Sequence, residues 1–156
     1  MRNRGIAVTF LSLALVVACM GSLEGQQTQL TAIRGVSFGI VLPGVPFHVL
    51  RTDPVNSGQF QLKAPPPKIV TYTFTLPTVL NGPLGATMPI SFATNDAGYS
   101  GTNVITSQVA FDPHIPFTSS MVTNRVGIFL GGTVSPIPTQ RAGSYTATVV
   151  LSVLVL

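Results

Sequence analysis

The chain has 156 residues, of which 46% are apolar and only 8% charged, with a net charge of +4 and one cysteine, Cys19. A lone cysteine excludes an internal disulfide framework, a Cys-based zinc site and paired-thiol redox chemistry. Beyond Gly25 the cations are Arg34, Arg51, Lys63, Lys68, Arg125 and Arg141 and the acids Asp53, Asp96 and Asp112. Charges this dispersed form no basic patch, so nucleic acid is not an expected partner.

Arg2 and Arg4 precede an uncharged run from Ile6 to Ala18, IAVTFLSLALVVA. As a helix it would reach about 20 Å, short of the roughly 30 Å hydrocarbon layer of a bilayer. Positive charge, a short apolar run and small residues follow in the order of an export signal. Residues 1–25 are read as that signal and 26–156 as one domain. Two endings stay open. Val16-Val17-Ala18-Cys19 fits a lipoprotein signal, with a lipid anchor on Cys19. A plain cut after Gly21 or Gly25 would release an unanchored chain. In both cases the expected location is the periplasm, the outer surface or the extracellular space, with a mature chain that does not span the membrane.

After the signal, no apolar 3.6-residue periodicity lasts beyond two turns. Thirteen prolines and fifteen glycines separate short runs rich in Val, Ile, Thr, Phe and Tyr, the composition of strands and turns. The predicted strands begin with Leu30 to Val41, where Val36, Phe38 and Ile40 alternate with Ser37 and Gly39. Pro46 to Arg51 and Gln59 to Lys63 follow, the latter with Phe60 and Leu62 inward. Pro65-Pro66-Pro67 cannot lie in a central strand, because proline lacks the ladder donor. Ile69 to Leu76 sets Tyr72, Phe74 and Leu76 against Thr71, Thr73 and Thr75. Met88 to Thr94 and Val104 to Phe111 are strands, with a polar stretch at Asn95 to Gly101 between them. Asp112 to Ser120 is a loop, Arg125 to Leu130 a strand, and Thr133 to Gly143 a long turn. Ser144 to Leu156 is a final strand with Tyr145, Ala147, Val149, Leu151, Val153 and Val155 on one face. Its other face turns apolar late, which predicts cover on both sides there.

About seven to eight short strands without crossover helices predict an all-β, antiparallel sandwich. The chemical inventory is thin. His48 falls in an apolar strand and His114 in a loop two residues from Asp112. A triad of His114, Asp112 and a serine lacks any nucleophile-elbow motif. Asp96 with Asp112 would need convergence to act as a glycosidase pair. Asn95-Asp96 and the Gly98 to Asn103 loop offer oxygen ligands for calcium, but a polar turn explains them equally. No catalytic, cofactor-binding or metal residue is assigned, no cofactor is expected, and an enzyme is not expected.

Several segments carry a resemblance. They are Val36-Ser-Phe-Gly-Ile-Val-Leu-Pro-Gly44, Gly58-Gln-Phe60, Tyr72-Thr-Phe-Thr-Leu-Pro77, Leu130-Gly-Gly-Thr-Val-Ser-Pro136 and Gln140-Arg-Ala-Gly-Ser-Tyr-Thr-Ala-Thr-Val-Val-Leu-Ser-Val153. Together they resemble the bacterial DUF4402 domain, a family of exported β-sandwich domains similar to fimbrial subunits. The chain departs from it at Ala64-Pro-Pro-Pro67 and between Asn95 and Phe117. The resemblance implies an immunoglobulin-like or pilin-like sandwich and no catalytic residues. Read with the export signal, it leads to a structural or adhesive envelope protein, a pilin-like subunit whose partner is a second copy or an exchanged strand. Gln26 to Val36 is a candidate donor strand. The alternative is a module binding an envelope glycan or another envelope component through Asn95 to Asn103 or Asp112 to Asn124, with Tyr99, flanked by Gly98 and Ser100, and Phe117 as the surface aromatics of those loops.

Overall fold

The computed structural model describes residues 27–156. The expected signal, Cys19 and both candidate cut sites lie outside the described residues. Among the described residues, no helix is long and apolar enough to cross a membrane. The one helical element there is a 3-10 turn, Pro83–Gly85.

The chain is otherwise built from strands: β1 (Gln29–Arg34), β2 (Phe47–Val49), β3 (Gly58–Lys63), β4 (Lys68–Thr75), β5 (Val79–Asn81), β6 (Thr87–Ser91), β7 (Ala97–Ser100), β8 (Val109–Phe111), β9 (Phe117–Met121), β10 (Arg125–Leu130), β11 (Gly132–Val134) and β12 (Val150–Val155). Every pairing is antiparallel. The sheet orders are β1-β3-β10-β7-β8, β2-β11-β6-β5 and β12-β4-β9. The fold class is therefore all-β, as the composition predicts, but with twelve described strands in three sheets rather than seven or eight. Turns broke several expected strands, and two expected loops are strands.

One core serves all three sheets. The five- and three-stranded sheets face each other through aromatic rings: Phe60 meets Phe74 at 6.0 Å, Tyr72 meets Tyr99 at 5.8 Å, and Phe111 stacks on Phe117 at 4.3 Å. Each such pair contributes about 0.5–1.5 kcal/mol beyond its area. Leu62 of β3, Val70 of β4 and Ile128 of β10 are fully enclosed beside them. The four-stranded sheet sends Leu80, Met88, Ile90 and Val134 into the same cluster.

The sheets are joined at two places. β10 runs into β11 through Gly131, changing sheets. A Cβ there would collide with the Val49 carbonyl and the Arg51 amide, so only glycine fits this corner. Second, Thr146 bridges Asn81 at the end of β5, with reciprocal N–H to O=C bonds of 2.8 and 2.9 Å. The last segment thus touches the four-stranded sheet before joining the three-stranded one.

The departures from the sequence reading have local causes. Only Gln29–Arg34 of the first expected strand is extended in a ladder; Gly39 at φ +60° ends the alternation. Val36 and Phe38 still pack on the core, but Ile40 points into solvent, 96% exposed. Asn95 to Gly101 contains β7, paired on both edges. Phe117–Met121 is β9, an edge strand. From Val104 to Phe111 only Val109–Phe111 is strand. The final strand is confined to Val150–Val155, and its outer face is not covered, since Val150, Leu154 and Leu156 are exposed.

Candidate functional site

The C-terminal segment is the most constructed part of the surface. Gly143 adopts φ +147°, a conformation that favours glycine. It packs on Pro83, and the following turn drops the Tyr145 ring onto Gly82, where a Cβ would have no room. The Tyr145 hydroxyl donates to the Arg141 carbonyl at 2.7 Å and accepts from Gln140 Nε2 at 2.7 Å. Gln140 Nε2 also reaches the Thr87 carbonyl at 3.1 Å. The chain is thereby clamped just before it bridges Asn81.

Beyond the bridge the ladder opens. Continuing the β12–β4 register from Val150↔Thr75 would set Thr148 opposite Pro77. Proline has no N–H to give, so pairing fails there. Between Asn81↔Thr146 and Val150↔Thr75 the β5 side carries two extra residues. The resulting cleft of about 570 Å³ is lined by Leu76, Pro77, Thr78, Asn81, Thr146 and Thr148, among others. Among the described residues no charged side chain lines it.

From Val150 the strand pairs with β4 residue by residue. Leu156 and Ile69 exchange both backbone bonds, at 2.9 and 3.3 Å. In an antiparallel ladder this pairing recurs every second residue. Val150, Ser152 and Leu154 therefore aim their N–H and C=O groups at β4. Leu151, Val153 and Val155 aim theirs away, at the free edge of the sheet. β12 is the end strand of its sheet, so no described strand meets that edge. Natural proteins usually blunt such an edge with charge, proline or a bulge; β12, VLSVLV, has none of these.

The residues weighed for chemistry do not converge. His114 Nδ1 lies 2.8 Å from Asp112 Oδ1 on the surface, and among the described residues no serine hydroxyl is hydrogen-bonded to that ring. Asp112 is held below its ordinary pKa by the His114 amide and then by the ring. Asp96 is buried instead, its Oδ2 accepting the Ala93 N–H at 2.8 Å. Asp96 and Asp112 thus engage separate partners. Among the described residues no group of three or more His, Cys, Asp or Glu is placed to hold a metal ion. Asp53 caps its own turn, accepting from the Asn56 side chain and from the Asn56 and Val55 amides.

The two aromatics expected in binding loops are structural. Tyr99 is only partly exposed, packs on Tyr72 and Phe117, and donates to the Ser120 carbonyl at 3.3 Å. Phe117 stacks on Phe111.

Two arrangements were missed in the sequence. His48 Nδ1 sits 2.8 Å from Thr133 Oγ1, and its Nε2 is 3.7 Å from Asp96 Oδ1; strand register, not sequence proximity, joins them. Residues 101–108 also fold over the outer face of β7 and β10. Ser100 Oγ accepts the Val104 N–H at 3.0 Å and lies 3.0 Å from Ser107 Oγ. Gly98 and Gly127 make room for Gln108 and Asn103, and Phe129 is fully buried. Two glycines facing a phenylalanine across two strands was the available signal.

No family model matches this chain, and neither does any curated protein or solved structure.

Proposed function

We propose that the protein is a non-enzymatic, exported structural or adhesive envelope protein, a pilin-like subunit that joins a neighbour by strand addition. The observation that carries this reading is the bare edge of β12. It offers three consecutive outward-facing backbone sites, at Leu151, Val153 and Val155, beside the exposed side chains of Val150 and Leu154. An extended segment laid there gains ladder bonds for affinity and alternate side-chain contacts for specificity. Two sheets facing each other across one aromatic core support an immunoglobulin-like or pilin-like sandwich as the frame. The clamp at Tyr145 supports the DUF4402-like reading of the C-terminal motif. The N-terminal donor has a cost, since β1 is already paired with β3 in its own chain.

The test is to express the full-length chain with its N-terminal segment, isolate the exported product, and examine it by sedimentation and electron microscopy. Assemblies are expected from the wild type. Leu154→Lys, which places a charge beside the edge without touching the core, is expected to abolish every assembly larger than a dimer. A wild type that stays a discrete monomer at every concentration overturns the reading.

A second reading, an envelope glycan-binding module, is favoured by the cleft beside Pro77. Its threonine hydroxyls and Asn81 amide suit a neutral, hydroxylated ligand. Saturation-transfer NMR with neutral oligosaccharides tests it; no transfer to any sugar removes it.

A further inference from the structure

The loop between β1 and β2 is apolar, uncharged and exposed. Residues 35–50 contain no Lys, Arg, Asp or Glu. Val36, Phe38 and Val41 pack against the core, and the Ser37 amide donates to the Asn56 carbonyl at 2.9 Å. These contacts fix the base of the loop and leave Ile40 96% and Leu42 65% exposed, with Val45 and Phe47 also open to solvent. Gly44 packs on Pro138 and its amide donates to the Ile137 carbonyl at 3.1 Å, which brings the exposed Ile137 alongside. The same segment runs into β2, the end strand of the four-stranded sheet.

We infer that this surface is a two-fold interface with a second copy of the chain, separate from the β12 edge. Three observations select that occupant. The exposed parts of Ile40, Leu42, Val45, Phe47 and Ile137 amount to roughly 500 Å² of apolar surface, the upper range for a single patch on a monomer. That falls short of the roughly 800 Å² per partner of a standard-size interface and suits a weak, reversible pair. The sector carries no charged side chain from 35 to 50, so two net-positive copies meet there without like charges opposed. And β2 presents a free edge, which under two-fold symmetry pairs antiparallel with its own copy.

The inference does not rest on strand addition at β12, and the test keeps the two apart. The full-length chain carrying Leu154→Lys is expressed, and its exported product, with the β12 edge blocked, is studied by sedimentation equilibrium. A monomer–dimer equilibrium is expected. Adding Ile40→Asp and Leu42→Asp is expected to shift the dissociation constant at least tenfold toward monomer, with the melting temperature of the monomer unchanged. Val45→Asp gives an independent second variant. A Leu154→Lys chain that is monomeric at all concentrations overturns the inference. So does a dimer indifferent to all three aspartates, or a monomer that instead binds vesicles of phosphatidylglycerol through this loop.

Discussion

The ring of Tyr145 lies directly on the backbone of Gly82, with no space for a Cβ between them. The contact seats the hydroxyl between the Arg141 carbonyl and the Gln140 amide. Gly82→Ala must therefore push the ring away and break both bonds. It is expected to cost about 2–4 kcal/mol, as an overpacked site that also loses hydrogen bonds. Tyr145→Phe keeps the ring and removes only the bonds, for about 1 kcal/mol. Urea denaturation of the two variants measures the order; equal losses would contradict the ring-on-backbone account.

Gly131→Ala places a methyl against the Val49 carbonyl and the Arg51 amide. Both belong to the β2 end, which only β11 holds in a ladder. The expected cost is about 2–3 kcal/mol, typical of backbone overpacking. Amide exchange of residues 47–51 should accelerate before global unfolding. Unchanged exchange there would show that Gly131 is not the hinge between the sheets.

Tyr72 is 1% exposed, and its hydroxyl is buried beside that of Ser119, with no well-formed hydrogen bond to either among the described residues. Burial pushes the phenol well above its ordinary pKa. In the unfolded chain it ionises near pH 10, and in the folded chain it does not. Stability therefore falls as pH rises through about 10. Tyr72→Phe removes this buried, poorly bonded hydroxyl. It is expected to leave stability at pH 7 unchanged or raised, by up to about 1 kcal/mol, and to flatten the alkaline decline. Denaturation at pH 7 and pH 10.5 checks both; a loss above 1 kcal/mol at pH 7 sinks the idea.

At the acid end, Asp53 is held below its ordinary pKa by the Asn56 side-chain amide, then by the Asn56 and Val55 backbone amides. Asp112 is lowered by His114. Groups whose folded pKa is depressed stabilise above their unfolded value, about 3.9, and lose that contribution as pH falls through the folded one. The melting temperature should decline below pH 4. Asp53→Asn with Asp112→Asn should start lower at pH 6 and decline less. Parallel profiles for wild type and double variant would assign the acid sensitivity elsewhere.

Strands with one dry face were legible in the sequence. β10 begins and ends where Arg125 to Leu130 was expected, and β4 needs only a one-residue shift at each end. Gly143 was legible as the end of a turn before Tyr145, and the structure adds its positive φ and the backbone partner of the Tyr145 hydroxyl. β7 was not, because burial on both faces by a folded-over loop replaces alternation with Ala-Gly-Tyr-Ser. β9, FTSSM, was hidden by the prolines before it. The β12 edge was invisible because edge status depends on which strands pair, and the break that shortens the expected final strand traces to Pro77 meeting Thr148 across the ladder. The His48–Thr133–Asp96 group likewise exists only through the register of β2 on β11.

The central claim is that the outward amides of β12 receive a neighbour's strand. Residue-resolved amide hydrogen exchange, on monomer and on assembled protein, addresses it directly. In the monomer, Leu151, Val153 and Val155 should exchange fast while Ser152 and Leu154, bonded to β4, stay protected. In the assembly all five should be slow. Fast exchange at Leu151, Val153 and Val155 persisting in the assembled form would contradict the account.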